Sequence, residues 1–227
     1  MQKDLINNAK KERLYEAAKQ LFYDKGFKQT TLKDIGQTAD ANTALVAYYY
    51  KNKTNLAIEI NTEYLAATKV LTKYYIDRIC PNAGLYLQTA VDIRVTNRNY
   101  VTSPELMRFY LELNETNFYI KSEIVSTGFF ENLNRSYHLG FDRNYLRAAA
   151  IANYALANAL SAARVNGLMD CTNEYIIASV INHHGIMLGF PEEKTQSVLD
   201  ESLAIANKIN IHVGSGFRLF HDDKNSF

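Results

Sequence analysis

A chain of 227 residues, 47% apolar with only 3 Pro and 10 Gly, describes a globular, helical protein of one to two domains. No run approaches the ~18 consecutive apolar residues of a membrane helix, and the N-terminus MQKDLINNAKKERL lacks the apolar core of a secretory signal. A soluble, cytoplasmic protein with no membrane partner is expected. The net charge of +1 conceals an asymmetry: Lys10 to Lys53 holds nine basic and five acidic residues, net +4, whereas the chain after residue 53 holds 15 basic and 18 acidic, net −3. A basic N-terminal module on a mildly acidic body suits binding to polyanionic DNA at one end. Charge alone reads equally well as a solvated surface with chance bias. Cys80 and Cys171 lie far apart without metal spacing, and are expected as buried thiols rather than a disulfide.

The first helix is predicted from about Asn8 to Lys25, with Leu14, Ala18, Leu21 and Phe22 as its buried stripe and Gly26 in the left-handed position past its end. In the stretch TLKDIGQTADANTALVAYYYKNK, residues 31–53, Leu32, Ile35, Gly36 and Ala39 recur with helical period. Thr31 with Asp34 three residues on is close to a capping box. Asp40 breaks the pattern, Asn42 can cap a second short helix running through Tyr50, and Asn52 a third. Two short helices joined by a tight turn and braced by another describe a helix-turn-helix.

These residues carry a resemblance. Ala17, Ala18, Leu21, Phe22, Gly26-Phe27, Thr30-Thr31, Ile35, Ala39 and Tyr48-Tyr49-Tyr50-Lys51-Asn52-Lys53 resemble the DNA-binding end of the tetracycline-repressor (TetR) family of bacterial transcriptional regulators. The resemblance covers roughly the first quarter of the chain. Asp40 stands where the family turn usually has Gly, and Asp is among the few residues that tolerate a left-handed backbone. Ala47 stands where the recognition helix usually has an aromatic.

Side-chain chemistry separates the expected roles. The Thr31 hydroxyl, with the N–H groups that follow it, makes a phosphate site. Tyr48, Tyr49 and Lys53 are donors suited to phosphates. Base reading falls to Asn42, Thr43, Ala44, Leu45 and Ala47, small residues that let the backbone approach the major groove. Tyr50 matches a family core aromatic and is expected to be buried.

A long helix follows, about Lys53 to Ile79, ended by Cys80-Pro81-Asn82-Ala83-Gly84. Further helices are predicted over 84–100, from the Ser103-Pro104-Glu105 start signal to about Asn117, over 118–139, 142–166, 172–188 and 192–209. No β-hairpin signal is read, and 213–227 is expected to be a partly disordered tail. The expected domains are 1–54 for DNA binding, 55–212 for effector binding and dimerisation, and that tail.

In the helix of residues 142–166, Ala148, Ala152, Ala155, Ala159 and Ala162 keep one face small. The resemblance implies that this helix and 172–188 form the interface of a homodimer; intrachain core is the other reading. Between Gly84 and Asn166 lie many aromatics, with polar groups on the same stripes. Arg94, Phe109, Tyr110, Phe130, Tyr154 and Asn158 are the candidate lining of a pocket for a small apolar or aromatic effector. His183 and His184, about 100° apart on a helix, cannot comfortably share a metal ion. No phosphate loop, nucleophile elbow or metal motif occurs, so neither enzyme nor cofactor is expected.

The combined expectation is an all-α, ligand-responsive, homodimeric repressor bound to a palindromic double-stranded DNA operator. The alternatives are a helical ligand-binding protein or enzyme without DNA binding, and a regulator controlled by a protein partner.

Overall fold

A computed structural model describes residues 2–121 and 127–221. In chain order it holds α1 (Gln2–Lys25), α2 (Leu32–Thr38), α3 (Ala44–Tyr50), α4 (Lys53–Ile79), α5 (Leu85–Thr102), α6 (Pro104–Asn114), α7 (Phe118–Lys121), α8 (Thr127–Ser136), α9 (Arg143–Val165), α10 (Asn173–Met187) and α11 (Glu192–Ala206). An antiparallel hairpin closes the described chain, β1 (Ile211–Gly214) paired with β2 (Arg218–His221) in the register Ile211–His221 and Gly214–Arg218. The fold is all-α apart from this hairpin. Among the described residues, no helix is long and apolar enough to cross a membrane.

Local chemistry explains most of the boundaries. Thr31 and Asp34 close a complete capping box at α2. The Asn52 carboxamide accepts from Asn55 N at 2.8 Å and opens α4. Ser103, Asp142 and Thr172 cap α6, α9 and α10 in the same way, and Pro104 occupies the first position of α6. Gly26 ends α1 with φ +85, a left-handed conformation that costs glycine nothing. The middle of the helix expected over 118–139 lies outside the described residues.

Contacts divide the chain into two compact units. The first takes in the chain up to Ala67 together with Asn99–Phe118 and Ile211–His221; the second takes in Thr68–Arg98 and the stretch Tyr119–Asn210. The core of the first unit joins Leu14, Ala18 and Phe22 of α1, Ile35 of α2, Val46 and Tyr50 of α3, Leu56 and Ile60 of α4, Leu106 and Phe109 of α6, and Phe217 of the hairpin turn. In the second unit α10 packs against α9 and α11, and α8 against α9. Tyr86 on α5, 1% exposed, donates its hydroxyl to Ile181 O at 2.8 Å.

The hairpin corrects the sequence reading over 213–221, which is ordered structure rather than tail; 222–227 lie outside the described residues. Ser215-Gly216-Phe217 supplies the turn, with Gly216 and Phe217 at positive φ, and the burial of Phe217 holds it in place. The signal was present as a glycine-rich three-residue connection between two short apolar-polar runs.

Gly185, on α10, shows how closely this packing is fitted. A Cβ there would lie 2.3 Å from Thr195 Oγ1 and 2.9 Å from the Tyr86 hydroxyl. An interior helical Gly→Ala change ordinarily gains about 1 kcal/mol of propensity. Here overpacking, at about 1–3 kcal/mol, outweighs it. Gly185→Ala is expected to lower the urea midpoint at unchanged slope, a measurement that reads the sign directly.

Candidate nucleic-acid interface

The first unit presents α2 and α3 on a frame made by α1 and the start of α4. Asp40, at φ 48, makes the turn between them, as expected of Asp in place of Gly. The two helices meet at Gly36, where a Cβ would sit 2.8 Å from Thr43 Oγ1 and 3.0 Å from Ala41 O. Any larger residue there would push α3 off α2. Tyr50 is buried, as expected; its hydroxyl donates to Lys11 O at 3.2 Å and its ring stacks on Tyr15 at 6.4 Å.

The residues expected at DNA divide into three groups. Asn42, Ala44, Ala47 and Tyr48 are exposed, Tyr48 at 75%. The Asn42 carboxamide oxygen accepts from Ala44 N at 2.8 Å, a bond that does not use its NH₂ donors. Thr43, Leu45 and Tyr49 are half-buried, and Leu45 and Tyr49 pack on the core. The Thr43 hydroxyl lies against Gly36 of α2.

The third group is engaged by the chain itself. The Thr31 hydroxyl donates to Asp34 Oδ2 at 2.8 Å and accepts from Asp34 N at 3.1 Å, so the cap consumes the group expected to hold a phosphate. The Thr31 N–H and hydroxyl hold the Asp34 carboxyl below its usual range, and that negative charge now occupies the start of α2. Lys53 is likewise engaged. Its ammonium donates to Phe27 O at 2.7 Å and Thr30 O at 2.9 Å and lies 4.3 Å from the Phe27 ring centroid. Burial lowers its pKa, with Glu112 opposing. Lys33 and Gln37 on α2, and Lys51 at φ 68 just past α3, are exposed beside the candidate face. Sequence reasoning passed over them, although exposed polar positions on α2 could have been read from its period.

The candidate effector residues do not come together. Phe109, 1% exposed, belongs to the first unit's core, 5.6 Å from Phe22 and 4.7 Å from Phe217. Tyr110, also in the first unit, stacks on Tyr100 at 4.2 Å. Arg94 is buried and saturated: its donors meet both carboxylate oxygens of Glu174, Ser202 Oγ and Leu199 O at 2.6–3.0 Å. These three leave the candidate lining.

Phe130, Tyr154 and Asn158 lie in the second unit. There Phe129 and Phe130 hold the His184 ring at 5.5 and 5.4 Å, and Tyr119 stacks on Tyr154 at 6.4 Å. His184 Nδ1 and Asp92 Oδ1 are shut off from solvent without a hydrogen-bond partner among the described residues. Burial, with His183 alongside, pushes His184 down to about 4. Burial pushes Asp92 up to about 6, against the pull of Lys69 and Thr72; Lys69 also lies 5.8 Å from the Phe129 ring.

A short helix, a left-handed turn and a second short helix with its outer face bare form a helix-turn-helix, the class of module that docks on duplex DNA. Residues 14–60 match the model of the bacterial regulatory proteins, tetR family. Over 54 residues the chain is 37% identical to the Probable HTH-type transcriptional regulator YttP of Bacillus subtilis (strain 168). That stretch covers 24% of this chain, and the chain spans about a quarter, 26%, of the regulator's length. Among solved structures, RolR without ligand aligns at TM-score 0.47 and 14% identity, over 83% of this chain and 96% of its own. Two structures of γ-butyrolactone receptor (ArpA-like protein) align at TM-scores 0.45 and 0.46, with 14% and 16% identity, each over 89% of this chain and over 99% and 98% of their own. Scores this low leave the helices after residue 60 to be read from this chain alone.

Two outcomes are expected. Lys53→Met keeps the apolar stem but strands two carbonyls, and should cost about 1–3 kcal/mol in denaturant unfolding. The same variant should leave the salt dependence of DNA binding unchanged, where loss of a phosphate contact would flatten it by about one unit. For Asp92, a pKa raised in the folded state means stability is greatest below the unfolded value of 3.8 and falls as pH rises through about 6. Asp92→Asn is therefore expected to raise stability at pH 7 by about 1–2 kcal/mol and to flatten the pH profile between those values, read from thermal unfolding across pH.

Proposed function

We propose that this protein is a DNA-binding transcriptional regulator acting as a homodimer, released from a palindromic operator by a small apolar or aromatic ligand. The observation that carries the reading is the bare outer face of α3, set on a turn that only a close Gly36–Thr43 contact allows. Asn42, Ala44 and Ala47 are small enough to bring α3 against base edges. Tyr48, Tyr49, Lys33 and Lys51 position the unit on phosphates.

Dimerisation is assigned to the faces of α9 and α10 left uncovered in the single chain. Ala148 and Ala159 are exposed, Ala152, Ala155 and Ala162 half-buried, and Tyr175, Asn182 and Ile186 are exposed on α10, Ile186 at 66%. Small residues along α9 permit a close helix approach, and an exposed Ile and Tyr beside them favour burial against a second copy. The effector site is assigned to the second unit, around Phe130, Tyr154 and Asn158 with Tyr119, Phe129 and His184. An aromatic lining with a few fixed polar groups is the usual build of a small-molecule site. Such a ligand acts only by binding the released form more tightly than the DNA-bound form.

Sequencing the fragments retained from a random DNA pool tests the reading. A palindrome with half-sites about one helical turn or a little more apart is expected, with affinity falling steeply as salt rises. Asn42→Ser should shift preference among half-site variants by about 1–3 kcal/mol. Ala159→Arg should give a folded monomer by circular dichroism and light scattering that no longer holds the palindrome. Equal affinity for scrambled and selected DNA, or a folded Ala159→Arg dimer, would overturn the respective half of the proposal.

A further inference from the structure

The last described residues of the chain fold onto its first helix. The hairpin, Ile211–His221, lies in the first unit together with α1, α2 and α3. Val213, Phe217 and Leu219 pack on that unit's core, Phe217 as a buried member of it. The Phe217 ring meets Tyr23 edge-on at 5.5 Å and lies 4.7 Å from Phe109, which stacks on Phe22 at 5.6 Å. Ser215 donates to Gln20 Oε1 at 3.0 Å, and the same carboxamide donates to Asp24 Oδ2 at 2.9 Å. Gly216 and Phe217 hold φ 63 and 60. A bulky residue keeps a left-handed backbone only where packing over-determines it. The seat of this one ring therefore sets where the hairpin sits on α1.

The turns of α1 gripped in this way carry the loop that starts α2. The buried Thr30 hydroxyl donates to Gly26 O at 2.7 Å, with Leu21 O at 3.2 Å. Thr31 follows directly, and its N–H and hydroxyl both donate to Asp34 Oδ2 at 2.8 Å to cap α2. A path of direct contacts, all inside the first unit, thus runs from Phe217 through the last turns of α1 to the start of α2.

We infer that the hairpin is a positioning element of the helix-turn-helix: by seating the last turns of α1 it fixes where α2 begins, and so how α3 is presented. The inference rests on the first unit being the one that binds DNA. It makes DNA affinity depend on residues at the opposite end of the sequence. Phe217 and Ser215 are the positioning residues, and they act through α1.

Hydrogen exchange on the full chain, without DNA, tests the positioning. Phe217→Leu keeps an apolar side chain but loses the ring contacts. In that variant the amides of Gly26, Asp34 and Ile35 are expected to exchange about tenfold faster. Those of residues 56–60, in α4 of the same unit, should stay within about twofold. A side chain that only filled the core would speed both groups equally. Such parallel acceleration, or unchanged exchange at Gly26, Asp34 and Ile35, would overturn the inference. Should Phe217→Leu fail to fold by circular dichroism, Ser215→Ala removes one hydrogen bond at the surface and carries the same comparison, with about threefold faster exchange expected. With a duplex selected from a random pool, Phe217→Leu should weaken binding about tenfold for every half-site variant alike, leaving their order unchanged. Unweakened binding beside accelerated exchange would overturn the link to DNA. A wild-type protein that retains no DNA would refute the regulator reading alone, and the exchange result would still decide the positioning.

Discussion

The Lys53 ammonium, half-buried against the carbonyls of Phe27 and Thr30, is the interaction on which the helix-turn-helix depends. A cation in the first turn of a helix opposes the helix dipole, so its presence there needs a compensating field. The loop supplies it. Thr30, fully buried, donates to Gly26 O at 2.7 Å and Leu21 O at 3.2 Å. Lys28 N donates to Glu112 at 2.7 Å, and Arg108 donates to Tyr23 O and Asp24 O at the end of α1. The exposed backbone between α1 and α2 is thus held from α4 on one side and α6 on the other. Thr31 follows at once, so the same grip fixes where α2 begins.

That arrangement explains why the first unit draws on three separate stretches of the chain. The two seven-residue helices α2 and α3 bury little apolar surface by themselves. Phe109 and Phe217 complete the stack begun by Phe22, at sequence separations that no local period records. The hydrophobic pattern of α6 shows that Leu106, Phe109 and Leu113 share a face, and the structure agrees. Which partner that face meets is a tertiary fact. The hairpin was legible as a Gly-Ser-Gly connection, but its docking depends on one aromatic residue whose destination the sequence leaves open.

Helix ends were readable because they are settled within four residues: Thr31, Asn52, Ser103, Asp142 and Thr172 all cap, and Asp40 takes the left-handed turn. Tyr50 was readable as core from its place in the motif. Misplaced residues share a different physics. Lys53, Arg94 and Thr31 carry donors that suit a phosphate or ligand as well as they suit the chain's own acceptors. Competition between those partners is decided by acceptors distant in sequence, Phe27 O for Lys53 and Glu174 for Arg94, or by a cap that spends the hydroxyl, as at Thr31.

The saturation of Arg94 changes the chemistry of the proposed effector site. Its charge is met by the Glu174 carboxylate at 2.6 Å, so it offers a ligand anion no unspent field. Among the buried polar atoms of the second unit's described residues that lack a partner are one oxygen of Asp92, an acceptor, and Nδ1 of His184 between two phenyl rings. Burial already disfavours a carboxylate at Asp92, and an anionic ligand beside it would deepen that penalty. On the proposed reading, a flat ligand that donates a hydrogen bond to Asp92 relieves that oxygen, whereas an acid of the same shape would add a second charge beside it. Lys69 is exposed and already drawn toward Asp92, so the balance favours a neutral donor.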